Sequence, residues 1–162
     1  NSLSTWAGWF LTYEEPFILL AEESQLDELT RKLMRIGLDN IYGYVPSVKV
    51  WEETGGKLEK ENRISLEEFK SLKESNGIQV VDLRGATEYE SGHIAGAENV
   101  FVGTILNNLD KVSKDRKVVI HCQGGDRAAI GYSILAGKGY KNVVNFSSGI
   151  NEWVNEGNPV VS

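Results

Sequence analysis

The sequence predicts an α/β fold in which a parallel β-sheet is covered by helices on both faces. Three short, mostly apolar segments are strand candidates, at residues 78–84, 117–121 and 142–146. Helix candidates lie beside and between them, notably at residues 66–74 and 128–137. Strands that alternate with helices favour a parallel sheet, because each return to the same edge needs a crossover that a helix supplies.

Local signals indicate where these elements begin and end. Ser65 and Glu68 have the spacing of a capping box, which predicts a helix start at that point. Gly77 follows the predicted helix, as is typical of helix ends. Further short elements are expected as helices at residues 86–91, 103–111 and 149–155 and as a strand at residues 98–100.

Composition and charge exclude several classes of function. The chain has 162 residues, 41% of them hydrophobic and 25% charged, which is typical of a globular protein. Its net charge of -6 opposes nucleic-acid binding, because a phosphate backbone attracts a basic face. The apolar runs are too short to span a bilayer, so no membrane association is expected. One cysteine cannot form an internal disulfide, which favours a cytoplasmic location, and it makes a poor metal site with two scattered histidines.

An internal repeat appears when 102 is subtracted from positions in the last sixty residues. The resulting identities need no gap: Ile120 with Ile18, Leu135 with Leu33, Gly139 with Gly37, Asn142 with Asn40, Trp153 with Trp51, and Gly157 with Gly55. Residues 1–60 therefore resemble the second half of a unit that residues 61–162 contain whole. The alternative is that two βαβ segments of similar length align in this way without a repeat.

The repeat gives a domain division. We expect residues 1–51 to be the second half of an incomplete repeat and residues 63–162 to be a complete domain. Residues 52–62 are rich in charge and contain a glycine pair, which is typical of a linker. Because half a sheet would expose its core, the chain is expected to be a fragment of a longer protein.

The segment after strand 117–121 carries the strongest chemical signal. It begins with Cys122 and continues as Gln123, Gly124, Gly125, Asp126 and Arg127 before a helix. The glycine pair allows a tight loop whose backbone N–H groups can point inward and bind an anion. The helix N-terminus and Arg127 add positive charge, which should favour the thiolate of Cys122. The alternative is a buried structural cysteine.

Several segments together resemble the rhodanese family of sulfurtransferases. They are residues 81–84 (VDLR), Glu88, residues 92–99 (GHIAGAEN), the loop 122–127, residues 139–143 (GYKNV) and residues 149–153 (GINEW). The resemblance covers residues 61–162. It implies a doubly wound sheet of five parallel strands and a persulfide intermediate on Cys122.

The resemblance also implies roles for individual residues. The amides of Gln123, Gly124, Gly125 and Asp126 would hold the sulfur, and Arg127 would attract an anionic donor. Asp82 and Arg84 would shape the floor of the site, as a structural pair or in contact with substrate. Ala128 stands where the family often has serine or threonine, so one hydroxyl contact to sulfur is missing. The negative charge of Asp126 beside an anion site is unfavourable and would tune the choice of donor.

Loop length separates this pattern from phosphatases. The related tyrosine phosphatases and rhodanese-like dual-specificity phosphatases resemble C-x5-R, with arginine six positions after cysteine. Here Arg127 follows Cys122 by five positions. The pocket should therefore be smaller by one residue, suited to a sulfane sulfur and tight for a phosphoryl group.

The N-terminal segment 4–10 (STWAGWF) resembles the first rhodanese-like repeat of bacterial persulfide dioxygenase–rhodanese fusions. Those proteins join a metallo-β-lactamase-fold iron domain to two rhodanese-like repeats. By the offset of 102, Leu20 matches Cys122, so this repeat is expected to be inactive, and Glu22 and Glu23 oppose anion binding there. The iron belongs to the dioxygenase domain, which this chain lacks, so no cofactor is expected here.

The expected function is transfer of sulfane sulfur from thiosulfate or a low-molecular-weight persulfide to a thiol or sulfite, through Cys122. The expected partners are these small molecules, the metallo-β-lactamase-fold domain and, as a possibility, further copies of the chain. Two alternatives stay open: a non-catalytic rhodanese-like binding or regulatory module, and a small phosphatase or arsenate reductase.

Overall fold

The computed structural model describes residues 2–75 and 77–162, and the chain divides into two compact units, Asn1–Glu59 and Lys60–Ser162. The first unit contains α1 (Ser2–Phe10), β1 (Phe17–Leu20), α2 (Leu26–Met34), β2 (Ile41–Val45) and α3 (Val48–Glu53). The second contains α4 (Leu66–Glu74), β3 (Ile78–Asp82), α5 (Ala86–Glu90), β4 (Ala97–Asn99), β5 (Lys117–His121), α6 (Asp126–Gly137), β6 (Val143–Asn145) and α7 (Gly149–Asn155). Among the described residues, no helix is both long and apolar enough to cross a bilayer.

The second unit confirms the predicted parallel sheet but not its strand number. Its strands lie in the order β4-β3-β5-β6, and all neighbours are parallel. The expected fifth strand is reduced to one bridge, in which Arg63 pairs with Asn145 beyond β6. The chain cannot extend this pairing, because Ser65 caps α4 only two residues later. Within residues 2–75 and 77–162, the sheet therefore has four strands, and the fifth strand that the resemblance implied is reduced to this bridge.

The predicted helix at residues 103–111 was wrong in type. The structure has two 3-10 helices, Val102–Asn107 and Leu109–Lys111. Asn108 lies between them with φ −130° and ψ 25°, outside the helical region, and so interrupts the helix. In contrast, α4, β5 and α7 have the predicted bounds, while α6 begins two residues earlier than predicted.

Helices pack on both faces of this sheet. On one face the Phe69 ring of α4 stacks on Phe146 at 5.0 Å between centroids and contacts Trp153 of α7 at 5.5 Å. On the other face α6 comes so close that a Cβ on Gly131 would lie 2.4 Å from a methyl carbon of Leu83. Two covered faces require strands buried on both sides, which explains their continuous apolar character.

The register of the sheet places two strand ends side by side. Asp82, the last residue of β3, pairs with His121, the last residue of β5. Residues that follow these two parallel strands therefore meet at one edge. In open α/β sheets, ligands bind at this carboxyl edge.

The first unit has the element order of the second half of the second unit. Its strands β1 and β2 are parallel, with α2 between them and α3 after them, as α6 and α7 accompany β5 and β6. The offset of 102 also matches backbone conformations. Gly37 and Gly139 have φ 82° and 83°, and Gly55 and Gly157 have φ 90° and 74°.

The two units differ in how well the matching apolar residues are buried. Trp51 is 40% exposed, whereas Trp153 is 7% exposed. Ile18 is 52% exposed, whereas Ile120 is fully buried. Ile18 and Trp51 line an apolar cavity of 280 Å³ in the first unit. The first unit thus exposes a face whose counterpart forms core in the second.

Candidate active site

Cys122 lies directly after β5 and is nearly enclosed, with 1% of its surface exposed. Its Sγ accepts a hydrogen bond from the Gly125 backbone N–H at 3.2 Å. Within residues 2–75 and 77–162, this is the one hydrogen bond to Sγ. The expectation that several loop amides cradle the sulfur therefore holds for a single amide in the free thiol.

The orientation of the loop is set by helix α7. The N–H groups of Ile150 and Asn151 donate to the carbonyl oxygens of Cys122 and Gln123, at 3.0 and 3.2 Å. Because N–H and C=O of a trans peptide point in opposite directions, the next N–H groups are directed away from α7. Gly149 permits this contact, since a Cβ there would lie 2.3 Å from the Cys122 oxygen.

Two features of the backbone at position 125 favour glycine over residues that carry a side chain. Its φ is 111°, which side-chain-bearing residues rarely adopt. An added Cβ would lie 2.6 Å from the carbonyl oxygen of Ser147, an atom of the backbone that cannot move aside cheaply. A side chain at position 125 would therefore strain the turn that directs this N–H to Sγ.

We expect Gly125→Ala to destabilise the protein by roughly 2–4 kcal/mol, from backbone strain plus the clash with Ser147. Gly96→Ala is the matched control, because Gly96 has φ 80° but its Cβ would meet nothing within 4 Å. That control should cost only about 1 kcal/mol. Urea unfolding of both variants measures the difference, and equal losses would mean that the Ser147 contact has no effect.

Asp82 and Arg84 form a buried ion pair with each other. The side chain of Asp82 is 0% exposed and that of Arg84 is 5% exposed. The Nε of Arg84 donates to both Asp82 oxygens at 3.0 Å, and a terminal nitrogen donates to Oδ2 at 2.7 Å. The backbone N–H of Arg84 adds a bond of 2.9 Å to Oδ1. The same guanidinium donates to the Gly92 oxygen at 2.8 Å. The pair thus ties the end of β3 to the turn after α5.

His121 lies beneath the loop and is fully buried. Burial lowers the pKa of His121 below its usual value, because the charged imidazolium would lose its hydration, although Asp82 acts in the opposite direction. Its Nε2 is 3.9 Å from Asp82 and has no hydrogen-bond partner among the described residues. His121 therefore lies among the packed residues beneath the loop and has no access to solvent.

Arg127 is bound by Glu88, a partner that the sequence analysis did not assign. Two parallel hydrogen bonds join them, at 2.6 and 2.8 Å. The bond to Arg127 lowers the pKa of Glu88, and the same bond raises the pKa of Arg127. The charge of Arg127 is therefore largely compensated within the protein, and its expected attraction of an anionic donor stays a prediction. The signal for Glu88 was its position three residues after Gly85, where its carboxylate also accepts the Gly85 N–H at 3.0 Å.

This pair predicts a dependence of stability on pH. Since the pKa of Glu88 is lower in the folded state, the pair stabilises the protein above the ordinary glutamate pKa, and this contribution disappears as the pH falls through the folded value. At neutral pH the free energy of unfolding of wild type should exceed that of Glu88→Gln by at most about 1 kcal/mol, because the pair is partly exposed. In acid the two free energies should be equal. Urea unfolding between pH 3 and 7 tests this. Glu90→Gln, in the same helix without an ion pair in the described residues, should show no such dependence.

The other predicted loop residues lie in different environments. Gln123 is exposed, and its side-chain amide donates to the Asn151 side chain. Gly124 and Asp126 are also exposed, with Asp126 as the first residue of α6. Ala128 is fully buried within α6, and its assignment to the substrate-binding loop stays a prediction.

A cavity of 230 Å³ lies at this edge of the sheet. Arg84, Gly92, Gln123 and Asn151 are among its lining residues, and Cys122 is not. Cys122 thus lies below the surface that the loop presents. In the part of the chain that the structure describes, no group of three or more His, Cys, Asp or Glu side chains could hold a metal ion.

Comparisons with known proteins show the family and the fold of the second unit. A family model described as a rhodanese-like domain matches residues 65–156. A sulfurtransferase of Allochromatium vinosum is 32% identical over 91 residues, which are 56% of this chain and 85% of that protein. The thiosulfate sulfurtransferase GlpE of Pseudomonas paraeruginosa is 28% identical over 91 residues, 56% of this chain and 82% of that protein.

A solved structure gives the same match in three dimensions. A rhodanese-like domain protein from Staphylococcus aureus superposes with a TM-score of 0.55 at 33% identity, covering 62% of this chain and 99% of that one. The YrkF protein of Bacillus subtilis is 29% identical over 105 residues, and the match spans only 57% of its length. The family model, which matches residues 65–156, lies within the second unit and includes Cys122.

Proposed function

Because the chain belongs to the family of rhodanese-like domains, we propose that its second unit is a sulfurtransferase in which Cys122 carries sulfane sulfur as a persulfide. One observation carries the proposal: the sole cysteine of the chain ends a parallel strand, with the Gly125 N–H bound to its sulfur. The names of relatives from Allochromatium vinosum and Pseudomonas paraeruginosa support the same reaction class.

In the first step the Cys122 thiolate attacks the sulfane sulfur of a donor. A bond forms between Sγ and that sulfur, and the bond between sulfur and the rest of the donor breaks with its electron pair on the leaving group. Thiosulfate would release sulfite, and a low-molecular-weight persulfide would release a thiol. The enzyme is left with a Cys122 persulfide whose outer sulfur is anionic.

In the second step a thiol or sulfite attacks the outer sulfur, which regenerates the Cys122 thiolate. No electrons are gained or lost overall, so the two steps require neither a metal nor a redox cofactor. Two sequential transfers through one covalent intermediate predict ping-pong kinetics.

We expect the loop to bind the persulfide through more hydrogen bonds than the free thiol. The outer sulfur stands about 2.05 Å from Sγ, so it can approach amides that do not reach Sγ itself. The Gly125 N–H remains beside the inner sulfur. Since Cys122 is 1% exposed, the loop favours small donors over bulky ones.

We further propose that the first unit is an inactive half of a rhodanese-like repeat. Leu20 stands in place of a nucleophile at the end of β1, and the apolar face around Trp51 is open. With the N-terminal resemblance, this supports membership of a cytoplasmic persulfide dioxygenase fusion that removes sulfide, where the second unit would exchange sulfur with the iron domain.

Mass spectrometry of the intact chain tests the sulfur-transfer proposal. Incubation with thiosulfate or glutathione persulfide should add about 32 Da, one sulfur atom, located on Cys122. Treatment with dithiothreitol or sulfite should reverse the addition. If no donor in the panel gives the shift, the non-catalytic binding module becomes the better assignment. Hydrolysis of an aryl phosphate would instead indicate a phosphatase.

A further inference from the structure

Charges around the Cys122 loop are almost entirely paired within the protein. Arg84 is bound by Asp82 and Arg127 by Glu88. Arg63 shares a polar cavity with Asp126 beside the loop, but its Nε is bound by Glu61 at 2.5 Å. Among the described residues Asp126 has no ion-pair partner. Counted over the residues that the structure describes, the loop therefore offers no uncompensated cation and carries one excess negative charge before the thiolate is counted.

This charge balance of the loop affects which donor reacts, because the two donors proposed above differ in charge at the reacting end. Thiosulfate concentrates two negative charges on a small ion that must enter the loop as a whole. A persulfide, or an organic thiosulfonate, carries at most one negative charge at the reacting end. A site without a free cation discriminates against the dianion.

Building on the proposed sulfur transfer, we infer that Glu88 sets the charge preference of the site, by holding Arg127 in an ion pair so that singly charged sulfane donors are favoured over dianionic thiosulfate. Glu88 acts through Arg127 and is a specificity-determining residue, not a catalytic one. Its own position is fixed, since the oxygen that binds Arg127 at 2.6 Å also accepts the Gly85 N–H. The carboxylate cannot swing away without losing that bond at the start of α5.

The experiment compares two donors that react alike and differ by one charge. Cys122 thiolate takes the sulfane sulfur of thiosulfate and releases sulfite, and it takes the same atom of methanethiosulfonate and releases methanesulfinate. In both, one S–S bond forms and one breaks, with the electron pair on the departing sulfur–oxygen group. The measurement is kcat/KM for each donor, with cyanide as the common acceptor.

Glu88→Gln removes one negative charge and leaves an oxygen that can still accept the Gly85 N–H. Because an electrostatic gain scales with the charge of the donor, kcat/KM should rise about threefold for methanethiosulfonate and about tenfold for thiosulfate. The logarithm of the increase in kcat/KM should thus be twice as large for the dianion as for the monoanion. A merely structural change would not produce this difference. Glu90→Gln makes the same substitution two residues along α5 and should change neither donor.

Asp126→Asn removes the unpaired charge and should also favour thiosulfate, so the inference stays testable if Glu88→Gln fails to fold. Equal changes for both donors in both variants, or no change, would overturn the charge preference. The two levels of the proposal fail differently. If Cys122 gains sulfur but the variants change kcat/KM equally for the two donors, only the role of Glu88 is refuted. If neither donor adds sulfur to Cys122, the proposed transferase activity itself is refuted.

Discussion

Cys122→Ser is expected to reduce sulfur transfer by at least about 10³-fold, to the level of the uncatalysed reaction. A serine hydroxyl stays protonated at neutral pH and is a far weaker nucleophile toward sulfur than a thiolate. No other residue can replace it, because the chain has a single cysteine. Turnover of thiosulfate and methanethiosulfonate, with the intact mass after incubation, measures the loss.

The serine variant should keep its fold, which makes the loss interpretable. The hydroxyl is close to the thiol in size, and it can accept the Gly125 N–H that now binds Sγ. Its unfolding midpoint in urea should therefore stay near that of wild type. Transfer above one tenth of the wild-type rate in a folded Cys122→Ser protein would mean that sulfur does not pass through a covalent cysteine intermediate.

The position of Cys122 between a strand and a helix was predictable from the sequence because it depends on local patterns. The apolar strand Lys117–His121, the glycine pair after it and the helix start at Asp126 each have a signal within a few residues. The same holds for α4, whose start is fixed by hydrogen bonds between Ser65 and Glu68. Where a structure is set by neighbours in sequence, composition and spacing suffice.

The direction of the loop amides and the charge state of the loop were not predictable in this way. Both depend on residues distant in the chain. The carbonyl of Cys122 is turned by Ile150 of α7, and Arg127 is bound by a carboxylate 39 positions away. A sequence pattern gives the residue types in a loop, but the packing of a later helix decides which of their atoms face the sulfur.

The expected fifth strand is reduced to a single bridge for a related reason. The family resemblance implied it, yet the chain turns into α4 directly after the bridge at Arg63. Two backbone hydrogen bonds remain, from Ile64 N–H to the Asn145 oxygen and from Asn145 N–H to the Asn62 oxygen. At this edge of the sheet, the helix cap at Ser65 thus ends the strand pairing after one bridge.

The largest expected effect on stability is that of Asp82→Ala, a loss of about 3–5 kcal/mol. The substitution leaves the Arg84 guanidinium charged, 5% exposed and without its carboxylate. Buried charge without a partner costs far more than an exposed pair contributes. Urea unfolding of the variant measures the change, and Asp115→Ala, at an exposed aspartate with no ion pair in the described residues, is the matched control with a change below about 0.5 kcal/mol.

A double variant separates lost charge pairing from lost packing. Asp82→Ala combined with Arg84→Met removes the stranded charge while keeping an apolar side chain of similar length in its place. If the unpaired guanidinium is the cause, the double variant should be more stable than Asp82→Ala alone by at least about 1 kcal/mol, although the Gly92 oxygen loses its partner. A double variant as unstable as the single one would place the cost in the hydrogen bond from the Arg84 backbone N–H to Asp82, which both variants lose. The Asp82–Arg84 pair would then stabilise the fold mainly by holding the backbone at the end of β3, and less by neutralising charge.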